Sequence, residues 1–336
     1  MDTKKAALAI LIMFAFLLTA CGASSPLTPP TATLLPPTNT PIPPTATSTP
    51  EPTSTPIPTP TPSLGSTMIS EKDGMEMVFI PAGEFTMGSK LYADERPAHQ
   101  VTLDAYWIDK TEVTNQMFAK FLNDKMTQFT ITPDDFMKSV KSGDDTLYLL
   151  TCSTCTDKWT DRITWDGTQF SVAPGYENHP VVMVSWFGAD AYCSWADRRL
   201  PTEAEWENAA KGTDNRTYPW GNNTPDKTLT NINNYVGDTT EVGSYPAGAS
   251  FYGLFDMAGN AAEWVHDWYN EKYYQNSPSS NPFGPDTGDK KVVRGDEWDC
   301  AYYFCGGERT SARLFPQEPS TIGVGVGFRC AQSLKP

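Results

Sequence analysis

The stretch from Val292 to Cys330 reads VVRGDEWDCAYYFCGGERTSARLFPQEPSTIGVGVGFRC and contains three of the seven cysteines of the chain. Two of them, Cys300 and Cys305, stand close together in a segment crowded with tryptophan, tyrosine and phenylalanine. Two neighbouring thiols can hold a soft metal ion as thiolates or can form a disulfide. What the sequence indicates about function depends on which of these states the pair adopts.

The composition indicates an acidic domain with limited regular structure. The chain has 336 residues and a formal net charge of −15, and it contains no basic run. This acidity argues against a nucleic acid or an anionic membrane surface as partner, while it supplies oxygen ligands that suit calcium. Glycine, proline, tryptophan and tyrosine are abundant. We therefore expect an α+β domain in which irregular segments surround a modest sheet and a few helices.

The first 66 residues have the pattern of an export signal followed by a linker. In residues 1–21, Lys4 and Lys5 precede an apolar run that is short for a membrane span but suits a secretory signal. The run ends in LTACG, which resembles the lipobox of bacterial lipoproteins and implies lipidation of Cys21. An ordinary signal peptide or an uncleaved anchor is the alternative. Residues 22–66 repeat Thr-Pro units, which predict a disordered, extended spacer or a glycosylated stalk.

An exported, lipid-anchored protein would be held on the bacterial cell envelope, outside the cytoplasm, where disulfides persist. Apart from Cys21, six cysteines remain, an even number that is compatible with full pairing but does not define the connectivity. Cys152 and Cys155 form a lone CxxC, which could be half of a zinc site or a redox pair. Because no second CxxC or nearby histidine completes a zinc site, a local disulfide is the preferred interpretation.

The globular part, residues 67–336, shows several local structure signals. Val78 to Ile80 reads as a buried strand, and three polar residues are placed as helix N-caps, namely Thr114, Ser185 and Thr202. Thr202 and Glu205 form a capping box. The neighbouring Glu203 and Glu207 suggest acid–base chemistry at first sight, but acidic residues in a first helical turn favour the helix dipole. We interpret them as structural.

Two loops are rich in oxygen donors. The first is Asn231 to Asp238, and the second is Gly253 to Trp264, which reads GLFDMAGNAAEW. In the second loop, Asp256, Glu263 and the carbonyls between them have the hardness and spacing that calcium prefers. The alternative is a capped helix start in which Asn260 and Glu263 form another capping box.

The ordered motifs FIPAGEFTMGS, DKTEVTNQMFAKF, HPVVMVSW, RLPTEAEWENAA, YPWGN, GLFDMAGNAAEW, R-x-S-A-R and GFR resemble the formylglycine-generating enzyme family, also called the sulfatase-modifying factor domain. The resemblance covers residues 75–331. It implies a compact fold related to C-type lectins, with low regular secondary structure, which agrees with the composition.

The resemblance also implies an activity. Oxidases of this family convert one cysteine of a sulfatase-type protein or peptide to formylglycine, using molecular oxygen and copper(I) held by two cysteines. Those cysteines follow a Lys/Arg-Gly motif at fixed spacing, and Cys300 and Cys305 match it after Arg294-Gly295. Copper(I) is soft and prefers thiolate ligands, so the residue types suit the metal.

The same resemblance implies roles for further residues. Cys193 and Cys330 align with a structural disulfide of some members, while Arg309 and Arg313 stand where the family has arginines. Two calcium sites are implied, one with Asn231 and Ile232 as ligands. The ligands of the other are Asp256, Gly259, Ala261 and Glu263.

Departures from the family pattern leave two hypotheses open. Glu297 replaces the family's active-site serine, Ala301 replaces a basic residue, and residues 315–318 replace a segment of the substrate groove. The first hypothesis is a copper-dependent oxidase. The second is a non-catalytic, lectin-like binding domain in which Cys300 and Cys305 form a structural disulfide. An iron-dependent sulfoxide synthase is rejected because the chain has only three histidines and no iron-binding domain. We expect a monomer.

Overall fold

The computed structural model describes residues 62–132, 137–152, 161–299, 306–313 and 316–334. The strands in chain order are β1 (Thr67–Ile69), β2 (Glu76–Ile80), β3 (Gly83–Met87), β4 (His99–Leu103), β5 (Tyr106–Asp109), β6 (Thr130–Ile131), β7 (Met137–Ser142), β8 (Asp145–Cys152), β9 (Ile163–Trp165), β10 (Phe170–Val172), β11 (Ala262–Trp268), β12 (Lys291–Arg294), β13 (Val326–Phe328) and β14 (Ala331–Ser333). The helices are α1 (Asn115–Asp124), α2 (Trp186–Trp195) and α3 (Glu203–Lys211).

The strands form small sheets rather than one large one. A four-stranded antiparallel sheet has the order β1-β2-β5-β14, so it joins the beginning of the described domain to its end. A second sheet has the order β12-β11-β13, with β11 antiparallel to β12 and parallel to β13. The remaining strands form the β3–β4 and β9–β10 pairs and the β6-β7-β8 sheet. Short strands connected by long irregular segments agree with the predicted α+β class and low regular secondary structure.

Each of the three helices begins at the polar residue that the sequence predicts. The Thr114 side chain accepts the backbone N–H of Met117, and the Ser185 side chain accepts that of Gly188. Thr202 and Glu205 form the complete capping box at the start of α3. These side chains satisfy backbone donors that have no partner within the helix, which defines where each helix starts.

Strand β11 separates two hydrophobic clusters, because successive side chains of a strand point to opposite faces. Trp264 lies in the cluster that contains Phe118 of α1, and the next residue, Val265, lies in the cluster that contains Trp206 of α3. The Cys193–Cys330 disulfide is fully buried at the first cluster and links α2 to the segment before β14. This disulfide confirms the pairing implied by the resemblance.

Several sequence predictions concern residues outside the described ranges. They include the signal and lipidation site at Cys21, the linker and Cys155. Cys152, at the end of β8, is disulfide-bonded, and its pairing with Cys155 stays a prediction. Within the described residues, no helix is both long and apolar enough to cross a membrane.

Candidate functional site

The two cysteines that decide the function, Cys300 and Cys305, lie outside the described residues, but the segments on either side of them are described. Asp296 carries the hydrogen bonds that join these segments. Its Oδ1 accepts the backbone N–H of Glu297 at 2.9 Å, and its Oδ2 accepts that of Gly307 at 3.1 Å. One carboxylate therefore holds together the two ends of the segment that carries both cysteines.

A cavity of about 160 Å³ lies where these ends meet. It is lined by the end of β12, by Glu297 and Gly307 from the two sides of the cysteine pair, and by Gln317. The walls at Ala262 and Val326 come from β11 and β13. The β12-β11-β13 sheet thus forms part of the wall of the cavity that Glu297 and Gly307 also line.

Glu297 is the titratable side chain in this cavity that stands in place of the family serine. Its carboxylate lies against Gly325, so closely that a Cβ added there would be 1.5 Å from Glu297 Oε2. Burial, together with the negative charges of Asp296 and Asp299, raises the pKa of Glu297 to about 7. The group can therefore bind or release a proton near neutral pH.

Buried arginines hold the cavity wall to helix α3. Arg294 donates to Glu207 at 2.8 Å and to Glu203 at 3.2 Å, and Arg313 donates to both oxygens of Glu203 at 2.7 and 3.1 Å. All four side chains are almost completely buried. Because a buried ion pair that loses one partner leaves an uncompensated charge, this network resists distortion. Glu203 and Glu207 therefore form buried ion pairs with these arginines, which the sequence did not indicate.

The segment after the cysteine pair is also held by hydrogen bonds to Glu95. Glu95, in the loop between β3 and β4, accepts two hydrogen bonds from Arg309 at 2.6 and 3.0 Å and one from Ser311 at 3.2 Å. Glu95 is buried, and Arg309 also lies over the exposed ring of Tyr92. No sequence motif indicates this role of Glu95, because Arg309 is 214 residues away in the chain.

The two loops predicted to bind calcium contact each other. The backbone N–H of Asn260 donates to the carbonyl of Asn231 at 2.8 Å. Gly259 packs so closely that a Cβ would lie 2.6 Å from the same carbonyl, which requires glycine there. The structure therefore brings Asn231 and Ile232 against Gly259 and Asn260 of the second loop.

The possible calcium ligands in this region differ in how many hydrogen bonds they already accept. Both oxygens of Glu263 accept hydrogen bonds from Arg329, at 2.7 and 2.8 Å, and one also accepts from Trp206 at 2.8 Å. Asp256 accepts the backbone N–H of Gly243 at 2.6 Å. The carbonyl of Ile232 accepts the N–H of Tyr235.

Two buried oxygens in the same region have no hydrogen-bond donor among the described residues. They are Asn231 Oδ1 and Glu112 Oε2. Burial and the negative charge of Asp256 raise the pKa of Glu112 well above its usual range. Unpartnered buried oxygens beside excess negative charge fit a hard cation such as calcium. Across the described ranges, no three histidine, cysteine, aspartate or glutamate side chains converge on a metal position, so amide and backbone oxygens would have to complete such a site.

Comparison with known proteins agrees with this architecture. Residues 66–334 match the family described as Sulfatase-modifying factor enzyme 1-like domain. The formylglycine-generating enzyme of Streptomyces coelicolor is 37% identical over 285 residues, which cover 76% of this chain and 88% of that enzyme. The serine/threonine-protein kinase Pkn1 of Chlamydia trachomatis is 37% identical over 264 residues, which cover 77% of this chain.

The chain spans only 38% of the length of that kinase, so the match concerns one part of it. Among solved structures, PvdO from Pseudomonas aeruginosa aligns with a TM-score of 0.62 at 22% identity, covering 82% of this chain and 100% of PvdO. This structural likeness shows the fold alone. The family match over nearly all the globular part, with the confirmed disulfide, shows that the chain belongs to the sulfatase-modifying factor family, the family of the formylglycine-generating enzymes.

Proposed function

We propose that this chain is a copper(I)-dependent oxidase that converts a cysteine of a sulfatase-type protein or peptide to formylglycine. The observation that carries the proposal is the pair Cys300 and Cys305, placed as in the family's oxidases and flanked by residues that line one cavity. Two thiolates are the donor set that copper(I) prefers. When bound, copper(I) would supply the reaction with molecular oxygen.

Hydrogen bonds and ion pairs among the described residues hold the segments on both sides of the cysteine pair. Asp296 joins the ends of the cysteine segment, and the arginine–glutamate network holds those ends against α3. A thiol must lose its proton before it can bind a metal. Glu297, with a pKa of about 7 in the cavity, is suited to accept such a proton near neutral pH.

A non-catalytic binding domain is the second candidate. The cavity of about 160 Å³ is smaller than a typical ligand pocket of about 300–1,000 Å³, and the Glu297 side chain fills part of the space over Gly325. A larger groove of about 1050 Å³ lies elsewhere, lined by residues of α1 and β10 and by the loop around Gly243. In this alternative, Cys300 and Cys305 form a disulfide and the groove binds a peptide, a glycan or an envelope component.

We also propose that the two oxygen-rich loops bind calcium as structural ions, one site with Asn231 and Ile232 as ligands and the other with Asp256, Gly259, Ala261 and Glu263. The proposal is supported by two buried oxygens, Asn231 Oδ1 and Glu112 Oε2, that have no hydrogen-bond donor among the described residues. Calcium accepts such mixed sets of carboxylate, amide and backbone oxygens. These ions would stabilise the two loops rather than take part in oxidation.

The location is proposed from the N-terminal pattern. Residues 1–21 and the linker at 22–66 would place the domain outside the cytoplasm, tethered to a bacterial membrane through lipidated Cys21. Expression in a bacterial host with a labelled fatty acid tests this. The wild type should incorporate the label and Cys21→Ser should not, whereas labelling that persists in Cys21→Ser would contradict lipidation of this cysteine.

The experiment for the oxidase is a peptide conversion assay. The chain, loaded with copper(I), is incubated in air with a cysteine-containing sulfatase-type peptide, and the aldehyde product is detected by mass spectrometry after trapping with a hydrazine. We expect conversion by the wild type and loss of conversion in Cys300→Ser and in Cys305→Ser. If the wild type binds the peptide but leaves it unoxidised, the binding-domain interpretation is the better one.

A further inference from the structure

The groove of about 1050 Å³ beside α1 and β10 is lined by apolar side chains and by exposed carboxylates. Met117 of α1, Val172 of β10 and Phe255 line it and are partly exposed to solvent. Its volume is at the upper end of the range of small-molecule pockets, about 300–1,000 Å³, and it suits an extended segment of chain. The partly exposed apolar side chains are surface that a bound partner would bury.

Negative charge exceeds positive charge among the residues that line this groove. Five of these residues are acidic and two are lysines. Three of the acidic residues are exposed and come from three separate segments, namely Asp124 at the end of α1, Glu177 and Glu241. The C-terminal end of a helix carries partial negative charge, and the last turn of α1 contains no basic residue. The groove therefore attracts positively charged groups.

The two lysines of the groove already bind groups of the chain itself. Lys110 forms an ion pair with Glu76 at 2.8 Å, and its ammonium lies 5.5 Å from the centre of the Phe255 ring. Lys120 donates to the backbone carbonyl of Lys72. Glu177, in contrast, accepts one backbone N–H, from Gly175 at 2.8 Å, and an ionised carboxylate has about four acceptor positions. The exposed carboxylates thus keep acceptor capacity for the basic groups of a partner.

Strand β10 directs backbone groups away from its partner strand β9. The side-chain amide of Asn123 bonds both backbone groups of Phe170, accepting the N–H at 2.8 Å and donating to the carbonyl at 2.9 Å. Successive residues of an antiparallel strand direct their N–H and C=O groups to opposite sides. The backbone groups of Val172, two residues further on, therefore point to the same side as those of Phe170. An extended peptide can bond to such groups as an added strand.

We propose that this groove binds an extended, basic peptide segment of a partner protein, in which lysine or arginine alternates with apolar residues. Neighbouring side chains of an extended chain point to opposite sides, so the apolar ones contact the apolar lining while the basic ones contact the carboxylates. The linker at 22–66 does not fit this description, because it contains no lysine or arginine. A second copy of the chain does not fit either, since it has a net charge of −15 and no basic run.

The test is fluorescence anisotropy of a labelled decapeptide in which lysine alternates with valine, titrated with the full chain at low salt. We expect binding that weakens as the salt concentration rises, and weaker binding of a peptide in which serine replaces valine. The double variant Asp124→Lys/Glu241→Lys should bind the lysine–valine peptide about tenfold more weakly, because two attractive charges become repulsive. Both residues are exposed, and a lysine at the end of α1 complements the helix dipole. The variant should therefore keep the circular dichroism spectrum of the wild type.

Asp286→Lys/Asp289→Lys is the matched control, since both residues are exposed, do not line the groove, and change the net charge by the same amount. This control should bind the peptide as the wild type does. The proposal is overturned if the wild type does not bind the lysine–valine peptide or if the serine peptide binds equally well. It is also overturned if both double variants lose affinity equally, because overall charge alone then explains the binding.

This inference goes beyond the oxidase proposal and does not depend on whether Cys300 and Cys305 are reduced. The two can fail separately, because peptide binding is measured here by anisotropy and oxidation by the formation of an aldehyde.

Discussion

Replacing Glu297 by glutamine should stabilise the domain at alkaline pH and have little effect at acid pH. The folded structure raises the pKa of this carboxyl from its ordinary value of 4.5 to about 7, mainly by burial. An acid with a raised pKa binds more protons in the folded state than in the unfolded state, so stability falls as the pH rises from about 4.5 to about 7. The full displacement corresponds to on the order of 3 kcal/mol. Because solvent reaches part of the side chain, we expect Glu297→Gln to raise the free energy of unfolding by about 1–3 kcal/mol above pH 7.

The assay is urea unfolding of the wild type and of Glu297→Gln without added metal, at pH 4.5 and at pH 8. The variant should be more stable than the wild type at pH 8, and the difference should largely disappear at pH 4.5, where Glu297 is protonated in the folded protein. Glu318→Gln is the control, because this exposed carboxyl is nearby in the sequence. A difference that is the same at both pH values, or a variant that is less stable at pH 8, would refute the reasoning.

Three further changes have expected outcomes that urea unfolding measures. Gly325→Ala should lower the free energy of unfolding by about 1–3 kcal/mol, because its Cβ would overlap the Glu297 carboxylate. This loss should be smaller in a protein in which Glu297 is replaced by serine, and an equal loss in both proteins would contradict the contact. Arg329→Met should lower the free energy of unfolding by about 3–5 kcal/mol, because it leaves Glu263 buried without a positively charged partner; an unchanged free energy would contradict a stabilising role of this ion pair. Cys330→Ser removes the buried disulfide and should lower the free energy of unfolding by about 2–5 kcal/mol relative to the oxidised wild type. Relative to the reduced wild type, the variant should differ little in stability.

The sequence predicted the local features well because their causes are local. Thr114, Ser185 and Thr202 cap helices through donors only three residues away, and this spacing is visible in the sequence. The disulfide and the fold class followed from the family resemblance. The contact between the two oxygen-rich loops could not be predicted in this way, since it depends on how Gly259 packs against Asn231 in the folded domain.

Most of the site's electrostatics depends on partners far apart in the chain. Glu203 lies 91 and 110 residues from the arginines that bind it, and Glu112 lies 148 residues from Asn260. A capping box explains why acidic residues occur at the start of α3, but it contains no information about Arg294 or Arg313. The replacement of the family serine by Glu297 was visible in the sequence, whereas the rise in its pKa depends on burial and on neighbouring carboxylates.

The oxidase proposal requires that Cys300 and Cys305 are a reduced pair that binds copper(I). The most direct measurement is alkylation of the unreduced full chain with peptide mapping of both cysteines, before and after titration with copper(I). We predict that both thiols are alkylated in the metal-free protein and protected after one equivalent of copper(I). If neither cysteine is alkylated and copper(I) does not bind, the pair is a disulfide, and the domain is a binding module on the scaffold of an oxidase.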